Sequence, residues 1–335
     1  MILSQTPYRI SFFGGGTDYP GWFKEYGGSV ISTSINKYCY ISCRYLPPFF
    51  EHKHRIVYSQ IESVRNLSEI KHRAARAVMQ YAEVTDGLEI HYDGDLPARS
   101  GIGSSSSFTV GLLNALYAIR GQRVSKRDLA FRAIHIEQNI IGETVGSQDQ
   151  IAAAYGGLNH IEFLRDGTFT VNPIVAKQSK VKDLSNNLLL FFTGWQRTAE
   201  TIAKTQVENF SKKIVELKKM QSYVNDGLAI LESANGSIDD FGRLLHESWM
   251  LKRGLSTSVT SDRIDEIYNS GLNAGALGGK LVGAGGGGFI LFYAPPETHQ
   301  KIRATFSSLL EVRFEFESGG SRIALYDPNL AGVHT

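Results

Sequence analysis

A loop rich in glycine and serine runs from Gly94 to Phe108 (GDLPARSGIGSSSSF) and leads directly into an apolar, helix-like pattern. Helix N-termini leave backbone N–H groups without intrahelical partners, and small residues before them let an anion approach closely. The serines at 104–107 add hydroxyl groups of the kind that bind phosphate or Mg²⁺ in other phosphate loops. A flexible turn that only caps the helix is the simpler alternative, but the order of loop, hydroxyls and helix favours a phosphate site.

A strand-like run that carries Arg9 ends in the glycines 14–16 and then Asp18 (TPYRISFFGGGTDY). An aspartate after a glycine turn can accept hydrogen bonds from a polyol, and an arginine can stabilise charge on a phosphoryl group. An Asx-turn at Asp18 and a surface ion pair at Arg9 explain the same residues equally well. This segment alone therefore leaves both interpretations open.

Acidic residues flank a third segment, Glu137 to Asp149 (EQNIIGETVGSQD). Phosphoryl transfer needs one acid to hold Mg²⁺ and another to position or deprotonate the attacking hydroxyl, and two acids beside a turn can reach both. Glu143 is a rival for these roles. The structural alternative is that Asp149 caps a helix while Glu137 is exposed to solvent.

Two other glycine segments match nucleotide-binding patterns only in form. The run 283–288 (GAGGGG) fits G-x-G-x-x-G, but a strand-like run follows it where a dinucleotide site needs a helix. The run 278–280 (GGK) resembles the end of a Walker loop, but Leu281 stands in the Ser/Thr position. We therefore predict neither a Rossmann fold nor a P-loop.

Apolar periodicity predicts the elements that must position these residues. The first half is rich in strand patterns, interrupted by predicted helices at 68–83, 104–119 and 125–141. The predicted strands are 2–13, 30–46, 55–59, 88–92, 157–163 and 188–192. In the second half, apolar residues between Phe210 and Leu231 recur at helical spacing, and strands at 279–284, 288–293 and 312–316 surround a helix at 297–310. This order predicts an α+β protein with two units, which we divide into residues 1–175 and 176–335.

Composition and charge exclude several classes of protein. The 335 residues are 42% hydrophobic and 20% charged, which is typical of a globular protein, and 35 basic against 33 acidic residues give no case for nucleic-acid binding. The two cysteines, Cys39 and Cys43, are too few for a disulfide framework or a zinc cage. The first 13 residues lack the features of a signal peptide, and no apolar run is long enough to cross a bilayer. We expect a cytoplasmic protein with no membrane or nucleic-acid partner.

Taken together, the motifs resemble those of the GHMP small-molecule kinases, which include galactokinase, homoserine kinase and mevalonate kinase. PYRISFFGGGTDY, LPARSGIGSSSSF and the glycine run at 283–288 occur in the family's order, so the resemblance covers nearly the whole chain. It implies a GHMP kinase fold, with an N-terminal ATP-binding domain like ribosomal protein S5 domain 2 and a C-terminal ferredoxin-like α+β domain. The site is then expected between the two domains.

The resemblance also implies roles for individual residues. Asp149 would face the acceptor hydroxyl and act in catalysis with Arg9, and Ser105 and Glu137 would hold Mg²⁺. The ATP phosphates would lie against Ser100, Gly101, Ile102, Gly103, Ser104, Ser105 and Ser106. The substrate would contact Asp18, Gly15, Gly16, Thr17, Gly285 and Gly286.

Within the family, the segments FFGGGTDYPGWF, LPPFFEHKHRIVYS and VGSQDQIAAAYGG are most similar to the D-glycero-D-manno-heptose 7-phosphate kinases. This implies transfer from ATP to the anomeric hydroxyl, giving heptose 1,7-bisphosphate on a route to nucleotide-activated heptose. The implied partners are ATP with Mg²⁺ and a small sugar phosphate, while the oligomeric state, including a homodimer, is left open. The alternatives are a neutral-sugar kinase of the fucose or galactose type and a non-catalytic sensor, which would have no evident need for Ser105, Glu137 and Asp149 together.

An acceptor that already carries a phosphate needs cationic side chains beyond those that serve ATP. Three basic groups are candidates, and the sequence does not decide among them. They are His52, Lys53, His54 and Arg55; Lys71, His72, Arg73 and Arg76; and the pair Lys252 and Arg253.

Overall fold

The computed structural model describes residues 1–194, 199–256 and 258–327. Thirteen strands and eleven α-helices form in these ranges. The strands are β1 (Ile2–Phe13), β2 (Gly28–Tyr45), β3 (His54–Val57), β4 (Ile61–Val64), β5 (Leu88–Gly94), β6 (Leu158–Phe163), β7 (Phe169–Pro173), β8 (Leu188–Phe192), β9 (Gly278–Leu281), β10 (Phe289–Tyr293), β11 (Leu310–Glu311), β12 (Phe316–Glu317) and β13 (Arg322–Tyr326). The helices are α1 (Pro20–Tyr26), α2 (Arg73–Tyr81), α3 (Ser104–Ile119), α4 (Lys126–His135), α5 (Gln148–Tyr155), α6 (Gln178–Asn186), α7 (Ala199–Glu208), α8 (Ile214–Glu232), α9 (Asp239–Arg253), α10 (Asp262–Ala274) and α11 (His299–Thr305).

The strands form a nine-stranded sheet and a four-stranded sheet. In the larger sheet the order is β13-β1-β2-β5-β3-β4, with β6 and β12 paired to other parts of β2 and β7 paired to β6. The 18-residue strand β2 is therefore the centre of this sheet, because its β-branched and aromatic residues pair with four different strands. The smaller sheet is antiparallel with the order β11-β8-β10-β9. These two sheets confirm the α+β class.

The last strands of the chain return to the first sheet. β13 pairs with β1, and β12 pairs with β2. Residues 316–326 therefore complete the large sheet, whose preceding strand in chain order is β7. The segment before β12 links the two sheets, since Val312 N–H donates to Leu190 O and Asn36 N–H donates to Glu315 O. A single division at 175/176 therefore does not describe sheet membership, and only Phe316 of the strand predicted at 312–316 pairs in β12.

Other predicted elements are confirmed or shortened by local interactions. The helix predicted at 104–119 has these bounds in α3, and the one at 125–141 is α4 followed by a π-helical turn, Ile136–Ile141. The helix predicted at 68–83 begins only at Arg73, because the His72 side chain accepts a hydrogen bond from Ala75 N–H and caps α2 there. A separate 3₁₀ turn, Leu67–Glu69, precedes this cap. The predicted helix at 297–310 is shortened to α11 after a 3₁₀ turn at Pro296–Thr298.

The apolar residues form a main core between the large sheet and α3 and a second core on the small sheet around Trp249, Tyr268 and Phe292. Both cysteines are buried and unbridged, and burial raises the pKa of each thiol, to about 12 for Cys43. Across the described ranges, every helix is too short or too polar to span a bilayer.

Candidate active site

A cleft opens where the end of β1, the start of α3, the π-helical turn and the start of α5 meet α9 and β9. Its lining combines glycines, serines and five of the charged residues singled out in the sequence. The lining includes Arg9, Gly15, Gly16, Asp18, Gly101, Gly103, Ser104, Ser105, Ser106, Glu137, Gln148, Asp149, Lys252, Lys280, Gly283 and Ala284.

The loop before α3 has a backbone that only glycine adopts easily. Gly101 and Gly103 have φ values of 85° and 73°, and a Cβ on Gly101 would lie 2.3 Å from Val282 O. Ser104 and Ser106 are buried at the cleft wall, whereas Ser105 is exposed to it. The free N–H groups of the first turn of α3 therefore face a space that an anion can enter.

Two residues expected in the phosphate site, Ser100 and Ile102, are instead buried and stabilise the loop. Ile102 is fully buried, and its carbonyl accepts a hydrogen bond from Arg9 N–H. Ser100 is also buried, with its hydroxyl donating to Pro97 O at 2.6 Å. Neither side chain lines the cleft.

Arg9 and Asp149 form a two-point ion pair at the centre of the cleft. Arg9 Nε donates to Asp149 Oδ1 at 2.7 Å, and Nη2 donates to Oδ2 at 2.8 Å. The remaining nitrogen, Nη1, donates to Gly101 O at 2.7 Å. Because Arg9 is 95% buried and Asp149 only partly so, the arginine fixes the carboxylate against the phosphate loop while leaving it accessible to a substrate.

Asp18 is buried beside this pair and is held by the chain around it. Its Oδ1 accepts from Gly16 N–H at 2.9 Å, and its Oδ2 accepts from the Gln148 amide at 3.0 Å. Burial raises the pKa of Asp18, and the nearby charge of Asp149 raises it further. Gly146 is required here, since a Cβ on it would lie 1.9 Å from Asp18 Oδ2.

Some of the other residues of the first glycine turn line the cleft, and one of them stabilises the turn itself. Gly15 and Gly16 line the cleft. Thr17 does not, because its hydroxyl is used inside the turn, where it donates to Gly14 O at 2.8 Å and accepts from Ser29 N–H. The predicted substrate contact by Thr17 is therefore replaced by a structural role in holding the turn.

Glu137 lies in the π-helical turn and is buried. Its Oε2 accepts from the Ser106 hydroxyl at 2.9 Å and from the Gln150 amide, whereas its buried Oε1 has no hydrogen-bond partner within the described ranges. Burial raises the pKa of Glu137 to about 7, against the opposing effect of its hydrogen bonds. The serine that contacts Glu137 is thus Ser106, while Ser105, predicted to hold Mg²⁺ together with Glu137, is exposed in the same helical turn and lines the cleft.

The rival acid, Glu143, lies just beyond this turn. Its backbone N–H donates to Glu137 O, and its side chain faces a neighbouring depression rather than the cleft. Its charge contributes to the raised pKa of Glu137. Of the two acids, Glu137 is therefore the one that lines the cleft.

Glu137 is the cleft residue that could hold a metal ion together with the phosphates of a bound ligand. Mg²⁺ usually keeps several waters and takes one or two carboxylates together with substrate phosphates. Among the described residues no group of three or more His, Cys, Asp and Glu side chains could hold a metal ion. The unpartnered Oε1 of Glu137, beside the serine hydroxyls of α3, fits this need for a single carboxylate.

Two buried lysines form the opposite wall of the cleft. Lys280 donates to Ser11 O and Phe12 O at 2.8 Å each, and burial lowers its pKa well below the usual value. Lys252 donates to Gly283 O, and its pKa is lowered to about 8 by burial and then by Arg9. We predicted Lys252 only as one of several phosphate-binding candidates and did not predict Lys280, although its place in the apolar run 278–284 could have indicated an inward lysine.

The remaining basic candidates lie outside the cleft, and six of the nine have partners of their own. Arg55 pairs with Glu89 at 3.4 Å, and Arg253 pairs with Asp265. Arg73 and Arg76 donate to the backbone carbonyls of Ile141 and Ile70. His54 Nδ1 accepts from Leu88 N–H, and His72 caps α2. Lys252 is thus the member of the three basic groups that lines the cleft.

The third glycine motif contacts the phosphate loop through its first residue, Gly283, and not through the glycines in its middle. Gly283 packs on the phosphate loop, since a Cβ on it would lie 2.5 Å from Gly101 O. Gly285 and Gly286 turn away toward Val259, and Gly286 N–H donates to Val259 O at 2.9 Å. Gly283 and Ala284 therefore line the cleft where we predicted Gly285 and Gly286.

Comparisons with known proteins show the family to which the chain belongs. The family model for the GHMP kinases N terminal domain matches residues 69–157, and the model for the GHMP kinases C terminal matches residues 229–311. A D-glycero-alpha-D-manno-heptose 7-phosphate kinase from Campylobacter jejuni is 30% identical over 88% of this chain and 90% of its own. A galactokinase from Pyrococcus furiosus is 24% identical over 86% of this chain and 87% of its own.

A solved structure shows the same overall fold. The crystal structure of a D-glycero-D-manno-heptose 1-phosphate kinase from Bacteroides thetaiotaomicron aligns with a TM-score of 0.78 and 26% identity. The alignment covers 98% of this chain and 100% of that one. With both family domains matched in order and a heptose phosphate kinase similar over most of its length, the chain belongs to the GHMP kinase family and is a sugar kinase.

Proposed function

We propose that the chain transfers the γ-phosphoryl group of ATP to the anomeric hydroxyl of D-glycero-D-manno-heptose 7-phosphate. The observation that carries this proposal is the Arg9–Asp149 pair, which stands between the phosphate loop and the buried Asp18. We take the 7-phosphate as the acceptor because the Campylobacter relative named for it is similar over nearly its whole length. A phosphorylated sugar and ATP also fit a cytoplasmic enzyme.

In this reaction the bond between the γ-phosphorus and the β–γ bridging oxygen breaks, and a bond from the sugar oxygen to phosphorus forms. Asp149 accepts the hydroxyl proton, and the products are ADP and heptose 1,7-bisphosphate. An anomeric hydroxyl is more acidic than an ordinary alcohol, so its proton passes to a carboxylate more readily. Arg9 keeps the carboxylate in place, because both of its oxygens accept from the guanidinium.

The remaining cleft residues bind and orient the two substrates. Asp18 accepts hydrogen bonds from sugar hydroxyls, and the first turn of α3 receives the ATP phosphates through its N–H groups. Glu137 and the serine hydroxyls of α3 would hold Mg²⁺, which neutralises charge on the phosphate oxygens when bound.

A neutral sugar is the second candidate acceptor. The observation that favours it is the absence, among the described residues lining the cleft, of the two basic groups of the N-terminal half. The similarity to a galactokinase agrees with this alternative. The non-catalytic alternative is disfavoured, because Ser105, Glu137 and Asp149 all border one cleft.

The test is ATP consumption with Mg²⁺ against heptose 7-phosphate, heptose 1-phosphate, unphosphorylated heptose, galactose and fucose. The position of the new phosphate is read by phosphorus NMR. We expect turnover on heptose 7-phosphate with a new anomeric phosphate. Turnover on a neutral sugar alone, or at another position of heptose 1-phosphate, would overturn the proposed substrate while leaving the kinase class intact.

A further inference from the structure

We infer that Lys252, supplied by α9, is a catalytic residue that contacts the transferring phosphoryl group. The inference rests on the proposed phosphoryl transfer but not on the identity of the sugar. It assigns to the C-terminal half of the chain a direct part in the reaction, beside the acids and serines of the N-terminal half.

Lys252 lies where the parts of the site converge. It is 94% buried and lines the cleft, and its ammonium donates to Gly283 O. Gly283 in turn packs on Gly101 of the phosphate loop. Arg9, Asp18 and Asp149 line the same cleft, and their charges act on the pKa of Lys252. These groups surround the place where a phosphoryl group passes from ATP to a sugar hydroxyl.

The hydrogen bonding of Lys252 is incomplete in the protein alone. An ammonium has three N–H donors, and within the described part of the chain the acceptor found for Lys252 is Gly283 O. The two nearby carboxylates are occupied, Asp149 by Arg9 and Asp18 by Gly16 and Gln148. Because a buried ammonium without an acceptor is costly, phosphoryl oxygens in the cleft are suitable partners for the remaining donors.

Lys280, the other buried lysine, is better explained as a structural link. Two of its donors are used on Ser11 O and Phe12 O, at the end of β1. This ties β9 of the small sheet to β1 of the large one. Lys252 is joined to the site by a single bond to the loop at Gly283, so more of its hydrogen-bonding capacity faces the cleft.

In the reaction, Lys252 keeps its proton and forms no covalent bond. Its positive charge stabilises the negative charge that develops on the phosphoryl oxygens while the bond to ADP breaks. The alternative is that Lys252 binds the phosphate already present on the acceptor. Lys252 lies between the phosphate loop, proposed to bind ATP, and Asp149, proposed to bind the acceptor hydroxyl. This position favours contact with the transferring phosphoryl group.

The test compares Lys252→Met with Lys180→Met. Lys180 is a matched control, since it is also a buried lysine that donates to one backbone carbonyl, Ser233 O at 2.7 Å, and it does not line the cleft. For Lys252→Met we expect kcat to fall about 100- to 1,000-fold with the KM values for ATP and sugar changed less than about threefold. Lys180→Met should keep kcat within about twofold.

A binding measurement needs no acceptor sugar. The affinities for Mg²⁺–ADP and for Mg²⁺–ADP with aluminium fluoride, a mimic of the transferring group, are compared by calorimetry. Lys252→Met should lose affinity for the mimic and retain affinity for ADP, and Lys252→Arg, which keeps the charge, should recover part of the loss. If Lys252→Met does not fold, the arginine variant and a Lys252→Gln variant provide the same comparison.

Two results would overturn the inference. One is an unchanged kcat with a raised KM for a phosphorylated sugar only, which would assign Lys252 to the acceptor's own phosphate. The other is an equal loss of affinity for ADP and for the mimic. Failure of the wild-type protein to use heptose 7-phosphate would instead overturn the proposed substrate, and the variants would then be compared on the sugar that it does use.

Discussion

The two walls of the cleft differ in how their charges are balanced. On the N-terminal wall, Arg9 and Asp149 neutralise each other, and Glu137 accepts hydrogen bonds from Ser106 and Gln150. On the C-terminal wall, the acceptors of Lys252 and Lys280 within the described ranges are backbone carbonyls. The N-terminal wall is thus arranged before substrate binds, whereas Lys252 of the C-terminal wall keeps donors for the negative charge of a ligand.

Removing the accessible acid from the N-terminal wall should have the largest effect. For Asp149→Asn we expect kcat to fall about 10³- to 10⁴-fold, because the amide cannot accept the hydroxyl proton. Affinity for Mg²⁺–ADP, measured by calorimetry, should change little. Asp240→Asn, at an exposed acid of α9 that pairs with Arg243, is the control and should retain full turnover. Normal turnover by Asp149→Asn would remove this residue from the mechanism.

Glu137→Gln, on the same wall, should lower activity and also change the pH dependence of stability. The substitution keeps the size of the side chain but removes the charge proposed to hold Mg²⁺, so we expect kcat to fall about 100-fold or more at saturating ATP. The Mg²⁺ concentration that gives half-maximal rate should rise as well. A variant with wild-type dependence on Mg²⁺ would move the metal site away from Glu137.

The same variant should be more stable than the wild type at high pH. Burial raises the pKa of Glu137 from 4.5 to about 7, so between these values the unfolded carboxyl loses its proton while the folded one keeps it. The unfolded state then binds fewer protons, and the free energy of unfolding falls as pH rises, by on the order of 3 kcal/mol in all. Thermal unfolding should show Glu137→Gln gaining stability at pH 8 but not at pH 4.5. Equal differences at both pH values would contradict this cause.

The N-terminal wall was more predictable from the sequence than the C-terminal wall. The phosphate loop depends on local backbone chemistry, with glycines at positive φ followed by a helix start, and such chemistry is readable in Gly101, Gly103 and the serines after them. The choice between Ser105 and Ser106 as the partner of Glu137 was not readable, because it depends on the rotation of α3 against the π-helical turn.

The C-terminal wall is built by contacts between residues distant in sequence. Lys280 reaches carbonyls at the end of β1, 268 and 269 residues earlier in the chain, and no local pattern specifies such a contact. The return of β12 and β13 to the large sheet is equally non-local, since these short strands are defined by their pairing with β1 and β2. For this reason the sequence offered several basic clusters as equal candidates for phosphate binding. Burial in the fold then distinguished Lys252 from Arg55.

We expect kcat/KM for ATP to depend on pH through Lys252 of the C-terminal wall. The pKa of Lys252 is lowered to about 8 by burial and by Arg9, with Lys280 also nearby and with Asp18 and Asp149 opposing the shift. The free enzyme therefore loses this proton as pH rises through about 8, and kcat/KM for ATP should fall there. In Lys252→Arg this fall should disappear below about pH 10, since a guanidinium stays protonated. The same fall in both proteins would assign it to another group, with Lys280 the first to examine.

The smallest effect is expected at the basic residues that already have partners. The Arg55 side chain is 38% exposed and pairs with Glu89 at 3.4 Å, outside the cleft. We expect Arg55→Gln to change KM for heptose 7-phosphate less than about twofold and the free energy of unfolding by less than about 1 kcal/mol. Unphosphorylated heptose is the control substrate. A raised KM for the phosphorylated sugar alone would place its phosphate against the N-terminal half and show that the balance of charges in the free protein does not decide which wall receives a ligand anion.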